Sequence, residues 1–124
     1  MQYPNIYSLF SDRVKKYRSN TAPRNVFYFR SDDQWKGISW DCFDEETRNF
    51  ATALLSMGLP VGTSVAILMG NVPEWPISDL GTIMAGGVGV GLYPSVQPNR
   101  LSTSLAIQAL NSFWLILLSN SRRS

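Results

Sequence analysis

Residues 64–94 read SVAILMGNVPEWPISDLGTIMAGGVGVGLYP. Ser64 to Met69 is a short, β-rich apolar run and reads as a buried strand. Gly70-Asn71-Val72 leads into a helix, with Pro73 at a first-turn position where its missing N–H costs nothing. Trp75, Ile77, Leu80, Ile83, Met84 and Ala85 cover much of that helix's circumference, which predicts burial on more than one side. Gly86-Gly87 closes the helix, and Val88 to Leu92 is another β-type run, ending at Tyr93-Pro94. Strand, helix and strand at this spacing form a βαβ unit, whose right-handed crossover places both strands in one parallel sheet. The expected fold class is therefore α/β.

Working outward, the preceding segment contributes two helices and a hairpin. Residues 5–17 predict an amphipathic helix with Asn5 as its N-cap and Ile6, Leu9, Phe10, Val14 and Tyr17 on one face. Ser19 to Pro23 reads as a loop. Asn25 to Arg30 and Gln34 to Trp40 read as the two strands of a hairpin turning at Ser31-Asp32-Asp33. Asp41 is expected to cap a strong helix to Met57, with Asp44 at the third position of a short capping box. Phe43, Phe50, Ala51, Leu54 and Leu55 make its core stripe. Asp44 and Arg48 are an i,i+4 pair with the acid first, the favoured order. Gly58 ends this helix, with Pro60 shortly after it. Val61-Gly62-Thr63 turns the chain into the first strand of the βαβ unit.

Composition narrows the chemistry. The 124 residues contain no histidine and one cysteine, Cys42. A Ser-His-Asp triad, a Cys-His pair, a His-ligated metal and an intrachain disulfide are all excluded within this sequence. The net charge of +2, from eleven basic and nine acidic residues, is mild and scattered. It points away from nucleic acid as a partner. The opening Met1-Gln2-Tyr3-Pro4-Asn5 lacks the basic region and apolar stretch of a signal peptide. Phe113 to Leu118 is the longest unbroken apolar run, far short of the ~20 residues that span a bilayer. A soluble, cytoplasmic protein is expected. A peripheral membrane contact stays open, because the last third is very apolar.

That last third differs from the rest. Seven of residues 95–124 are serine, and Arg100 is the one charge between Asp79 and Arg122. A helix from about Asn99 to Leu110 and a strand within Ser112 to Leu118 are compatible with the pattern, and Ser119 to Ser124 reads as a tail.

From Trp35 to Pro94 the sequence resembles the N-terminal part of the AMP-forming acyl-CoA synthetases, within the adenylate-forming superfamily. The carrying residues are Trp35-Lys36-Gly37-Ile38-Ser39-Trp40, Phe50-Ala51, Leu54-Leu55, Gly58, Gly62 and Val65-Ala66-Ile67-Leu68. Further along are Asn71-Val72-Pro73-Glu74-Trp75 and Ala85-Gly86-Gly87, running into Gly91-Leu92-Tyr93-Pro94-Ser95. The Asn-x-Pro-Glu-Trp segment and the Tyr-Pro ending resemble the long-chain fatty-acid branch, as do the opening helix with Arg13-Val14 and the loop before Pro23. The fold this implies is a partial N-terminal domain: a helix, a β-hairpin and βαβ parallel-sheet units. The implied activity is a two-step ligation. Fatty acid and ATP give an acyl-adenylate and pyrophosphate, and coenzyme A then displaces AMP, with magnesium neutralising the phosphates.

The resemblance also shows what these residues lack. The family's Ser/Thr/Gly-rich phosphate loop ends in Pro-Lys and lies downstream of the Tyr-Pro segment. The lysines here are Lys15, Lys16 and Lys36, none after a Gly/Thr-rich stretch. The family's ribose-binding aspartate, magnesium-binding glutamate and C-terminal catalytic lysine also fall beyond residue 124. No catalytic, cofactor-binding or metal residue is therefore assigned. ATP, magnesium and coenzyme A are expected of the full-length family and not of this segment. Residues 1–101 are expected to form a truncated synthetase N-terminal region, and residues 102–124 a divergent tail. Loss of charge and resemblance together after about Leu101 suggests a frameshift near residues 101–112, or a disordered end. The expected function is an N-terminal ligase fragment, inactive alone. The alternatives are an interaction module built on the same half-fold and one half of a split synthetase completed by a downstream polypeptide.

Four other features invite a functional reading. Gly86 to Gly91 is glycine-rich, but it runs from helix to strand, the reverse of a phosphate fingerprint, and is read as close helix–strand packing. Glu74 and Asp79 are five apart and diverge by about 140° on a helix, which speaks against an acid–base pair. Trp35, Trp40 and the Asn25–Arg30 aromatics are read as core or hairpin packing. Cys42, next to Asp44, Glu45 and Glu46, has no electropositive neighbour to activate it.

Overall fold

The computed structural model describes residues 2–18, 24–92 and 113–117. The expected loop at Ser19–Pro23, helix near Asn99–Leu110 and tail from Ser119 lie outside them. The elements in chain order are α1 (Ile6–Arg18), β1 (Asn25–Ser31), β2 (Gln34–Ser39), α2 (Trp40–Ser56), β3 (Ser64–Leu68), α3 (Glu74–Met84), β4 (Val88–Leu92) and β5 (Phe113–Leu117). β1 and β2 form an antiparallel hairpin, and β4, β3 and β5 form a parallel sheet in that order. The α/β class expected from the sequence is the class observed. β5 falls within the strand window Ser112–Leu118.

α1 starts as the sequence predicts: the Ser8 N–H donates to Asn5 Oδ1 at 2.8 Å. Its buried stripe is narrower than expected. Phe10 and Val14 are buried, whereas Ile6 and Leu9 are exposed. Leu9 lies about 100° round the helix from Phe10, and Ile6 opens the first turn.

The hairpin turns through Asp32 and Asp33, with φ of 52° and 59°. Two successive residues at positive φ make the tight turn whose twist matches the flanking strands. Asp33 pairs with Arg30 at 3.0 Å and Asp32 with Lys36 at 3.7 Å, both in solvent.

α2 is capped two residues earlier than the sequence suggests. The N-cap is Ser39, whose Oγ accepts the Cys42 N–H at 3.1 Å, and Asp41 lies in the first turn. Asp44 is not part of a capping box. It is buried, and accepts from Arg18 at 3.0 Å and from Arg48 at 3.0 Å, so it ties the end of α1 to α2. The i,i+4 pair with Arg48 is as expected. Leu55 is exposed, because the buried stripe runs through Phe43, Thr47, Ala51 and Leu54 and leaves it about 100° away. Gly58 at φ 81° terminates the helix.

Two apolar clusters share α2. Phe43 meets Phe10 edge-on at 5.2 Å, Phe27 at 5.0 Å and Trp40 at 6.2 Å, joining α1, the hairpin and α2. Trp40 in turn stacks on Tyr17 at 5.0 Å. The second cluster is Ala51, Leu54, Leu59, Val65 and Ala85. Val65, Ala66 and Ile67 of β3 are all buried, as a central parallel strand covered on both faces should be.

α3 is buried through its small residues. Ser78, Gly81 and Thr82 are buried with Ile77, while Trp75, Leu80, Ile83 and Met84 are partly exposed. A Cβ on Gly81 would stand 2.7 Å from Phe50 Cδ1 and 3.0 Å from the Thr47 carbonyl oxygen. On the other side of the helix, Gly87, Gly89 and Gly91 lie under Thr82, Asp79 and Trp75. Alternate glycines on β4 thus form a smooth track for one stripe of α3, the close packing the sequence predicts. The Asp79 carboxylate rests against Gly89, and partial burial raises its pKa above the ordinary aspartate value.

Two stability predictions follow from α3. Gly→Ala inside a helix ordinarily gains about 1 kcal/mol. At Gly81 the added methyl collides with Phe50 and Thr47, and overpacking costs about 1–3 kcal/mol. Gly81→Ala should therefore lower stability by about 1 kcal/mol in urea unfolding. For Asp79 the folded pKa is raised, so the native state favours the proton. Its contribution is fully present below the unfolded pKa and is lost as pH rises through the folded value. Asp79→Asn should raise the unfolding midpoint at pH 7, by less than about 1 kcal/mol given the group's exposure. That gain should vanish below about pH 3.5.

Candidate functional site

The chain leaves β3 through Met69-Gly70-Asn71-Val72 and enters α3 at Pro73, its N-cap. The Val72 N–H donates to the Gly70 carbonyl at 3.0 Å, and the Trp75 N–H to the Val72 carbonyl at 3.1 Å. Pro73 and Pro76 carry no N–H. Of the four donors a helix N-terminus usually offers, two are therefore absent and the Trp75 N–H is already bonded. Glu74 adds a carboxylate to the first turn. This strand–turn–helix junction is thus a poor anion site, although it has the order in which phosphate-binding loops occur.

The same junction bounds a cleft of about 580 Å3, lined by Met69, Gly70, Asn71, Val72, Trp75, Pro76, Gly91 and Leu92. It opens at the C-terminal ends of β3 and β4. None of these lining residues is charged, and Asn71 carries the one polar side chain among them. Gly91 shapes one wall, since a Cβ there would stand 3.0 Å from Trp75 Cζ2. A second groove of about 600 Å3 lies between the hairpin and the α3 entrance. It shares Asn71, Val72 and Pro76 with the first and adds Phe27, Tyr28, Phe29, Arg30, Trp35, Pro73 and Glu74.

The features weighed in the sequence separate cleanly. Glu74 lines the second groove, while Asp79, five residues further along the helix, faces β4, and they form no pair. Trp40 and Phe27 are core aromatics, as expected. Trp35 and Tyr28 are not: they are 72% and 65% exposed on the outer side of the hairpin. Register explains this, because Arg30 opposes Trp35 and Tyr28 opposes Gly37 on the side away from Phe27 and Phe43. Cys42 is exposed at the start of α2. Among the described residues no group of three or more His, Cys, Asp or Glu is placed to hold a metal ion. Lys36 is committed to Asp32, and Lys15 and Lys16 lie on the exposed side of α1. No helix among them is long and apolar enough to cross a membrane.

The sequence had pointed to Asn71–Trp75 as a structural motif but not to the cleft it borders. The partner wall, Gly91 and Leu92, comes from β4, and only the pairing of Ile67 with Gly91 and Leu68 with Leu92 brings it alongside.

Comparison with known proteins agrees with this geometry. The family described as AMP-binding enzyme matches residues 10–107. Long-chain-fatty-acid–CoA ligase ACSBG1 of Homo sapiens is 34% identical over 93 residues, which is 75% of this chain and 12% of that protein. Long-chain-fatty-acid–CoA ligase heimdall of Drosophila melanogaster is 38% identical over 90 residues, 73% of this chain and 13% of its own length. The chain thus spans about an eighth of the length of these relatives. Among solved structures, the fatty acid AMP ligase from Legionella pneumophila superposes with a TM-score of 0.66 at 20% identity, over 79% of this chain and 17% of that one. The fold, the order of motifs and the extent of the family match place this chain in the AMP-binding enzyme family, as an N-terminal portion of it.

Proposed function

We propose that this chain is the N-terminal part of an AMP-forming long-chain fatty-acid–CoA ligase, and that it has no ligase activity by itself. The observation that carries this reading is the family match over residues 10–107, together with relatives named as long-chain-fatty-acid–CoA ligases. The absence of activity follows from the residues present. A ligase of this kind consumes ATP and coenzyme A, and phosphoryl chemistry depends on cations and backbone donors gathered around the phosphates. Three lysines are available in the whole sequence, and none follows a glycine-rich loop. What the chain contributes is a scaffold: a parallel sheet, its covering helices and the hairpin.

The partner this reading calls for is a polypeptide carrying the remainder of a ligase, in the same chain or supplied separately. Within residues 102–124, the part beyond the matched 10–107 would be where this sequence leaves the family pattern. A cytoplasmic setting, with contact at a lipid surface where long-chain acids partition, belongs to the same proposal.

A chimera tests it. The 93-residue matched segment of human ACSBG1 is replaced by the corresponding part of this chain, and palmitoyl-CoA formation is measured with palmitate, ATP and coenzyme A. The chimera should form product at a rate at least tenfold above a ligase lacking the segment, while the 124-residue protein alone forms none. A folded chimera no better than the deletion would overturn the ligase reading. Product from the protein alone would overturn the claim of inactivity.

A further inference from the structure

We propose that the outer edge of β4 pairs with an extended segment of a separate polypeptide, one that carries an aliphatic residue and a lysine or arginine two positions apart. The first support is the edge itself. β4 is an outer strand of the parallel sheet, and among the described residues no strand lies beyond it. The Val88 N–H donates inward, to the Thr63 carbonyl at 2.9 Å. Backbone groups of successive residues alternate sides along a strand. Val88 and Val90 therefore face β3, and the N–H and C=O groups of Gly89 and Gly91 point outward. Such a row is a template on which another strand is added through main-chain hydrogen bonds.

The second support is what stands over those two residues. The Asp79 carboxylate rests on Gly89, and the Trp75 ring lies over Gly91. Neither glycine has a side chain, so the space beside Asp79 and Trp75 on this face is left to a neighbouring strand. Opposed residues on adjacent strands share a face, with Cβ atoms ~4.5–5.5 Å apart. A long side chain opposite Gly89 thus begins within easy reach of the Asp79 carboxylate. A side chain opposite Gly91 meets the Trp75 ring and the uncharged cleft that continues past it to Val72 and Leu92. Gly89 and Gly91 are two apart, so the two incoming residues are two apart in either strand direction.

Charge decides which side chain goes opposite Gly89. Asp79 is the one charged residue between Glu74 and Arg100. No salt bridge among the described residues includes it, and partial burial raises its carboxyl above the ordinary aspartate range. The group has lost solvent without gaining a cation. A lysine or arginine supplies one through a charge-assisted hydrogen bond, and an acidic residue in the same place is repelled. The pairing draws on no ligase chemistry.

A titration tests it. The 124-residue protein is added to a fluorescein-labelled octapeptide, Ser-Thr-Thr-Leu-Thr-Arg-Thr-Ser, and fluorescence anisotropy is read. Saturable binding of one peptide per chain is expected. Glutamate in place of the peptide's arginine should weaken binding at least tenfold. Asp79→Asn, the more stable protein at pH 7 by the argument above, should weaken the arginine peptide at least fivefold and bind the two peptides within twofold of each other. Methylating alternate backbone nitrogens of the peptide should abolish binding in one of the two registers and leave it within threefold in the other, as strand pairing requires. Absence of saturable binding overturns the proposal. So does equal tolerance of both methylated registers. Asp79→Asn binding the arginine peptide as well as or better than the parent would make Asp79 a guard against pairing and also overturns it. A stable dimer in sedimentation that excludes the peptide would assign the edge to a second copy of this chain instead.

Discussion

The close approach of α3 to β4 is the constraint on which the rest of the βαβ unit depends. Thr82, Asp79 and Trp75 descend the helix at intervals of three and four residues, over Gly87, Gly89 and Gly91 at intervals of two. Seven residues of helix rise about 10.5 Å. Four residues of strand rise about 13 Å, and the length of the Trp75 side chain covers the difference. A side chain at Gly87 would meet Thr82 on one side and the Thr63 carbonyl on the other, and would lift the helix from the sheet. Lifting it would disturb Gly81, which sits equally close to Phe50 and Thr47 on α2. The helix is held between two surfaces that both demand small residues.

α2 connects this layer to the rest. Its N-terminal half supplies Phe43 to the aromatic cluster with Phe10, Phe27 and Trp40, and its C-terminal half supplies Ala51 and Leu54 to the cluster under the sheet. A buried carboxylate at Asp44 would ordinarily be costly. Here two guanidinium groups, from Arg18 and Arg48, reach it from solvent-exposed stems and satisfy it with charge-assisted hydrogen bonds. The arrangement fixes the direction in which α1 leaves the body without leaving a buried charge unpaired.

Much of this was legible in the sequence because it is written in local patterns. The Asn5 cap, the Gly58 stop, the hairpin about Asp32-Asp33 and the Asp44–Arg48 pair each depend on residues within a few positions of one another. Errors arose where the deciding partner is distant or where two local rules compete. Ser39 rather than Asp41 caps α2, since either type serves and the end of β2 sets which is reached first. Burial of α3 on more than one side was legible from its apolar residues, but which residues sit deepest was not. Contact with two crowded neighbours instead selects Ser78, Gly81 and Thr82, whose hydroxyls are satisfied within the helix by the Glu74 and Ser78 carbonyls at 2.7 Å. The parallel pairing of β3 and β4 was legible from the βαβ spacing, whereas the place of β5 was not, because it pairs with β3 across more than forty residues of sequence.

The cleft also separates two properties that a βα junction often combines. Such a junction usually offers a helix N-terminus whose backbone donors and dipole attract phosphate. Here the position is kept and the donors are removed: Pro73 and Pro76 delete two, Val72 occupies the Trp75 N–H, and Glu74 opposes an incoming anion. The hydrophobic effect is left as the main force available in the cleft, and it rewards alkyl surface at about 25 cal/mol per Å2 without regard to charge. The junction therefore favours an apolar group over an anion.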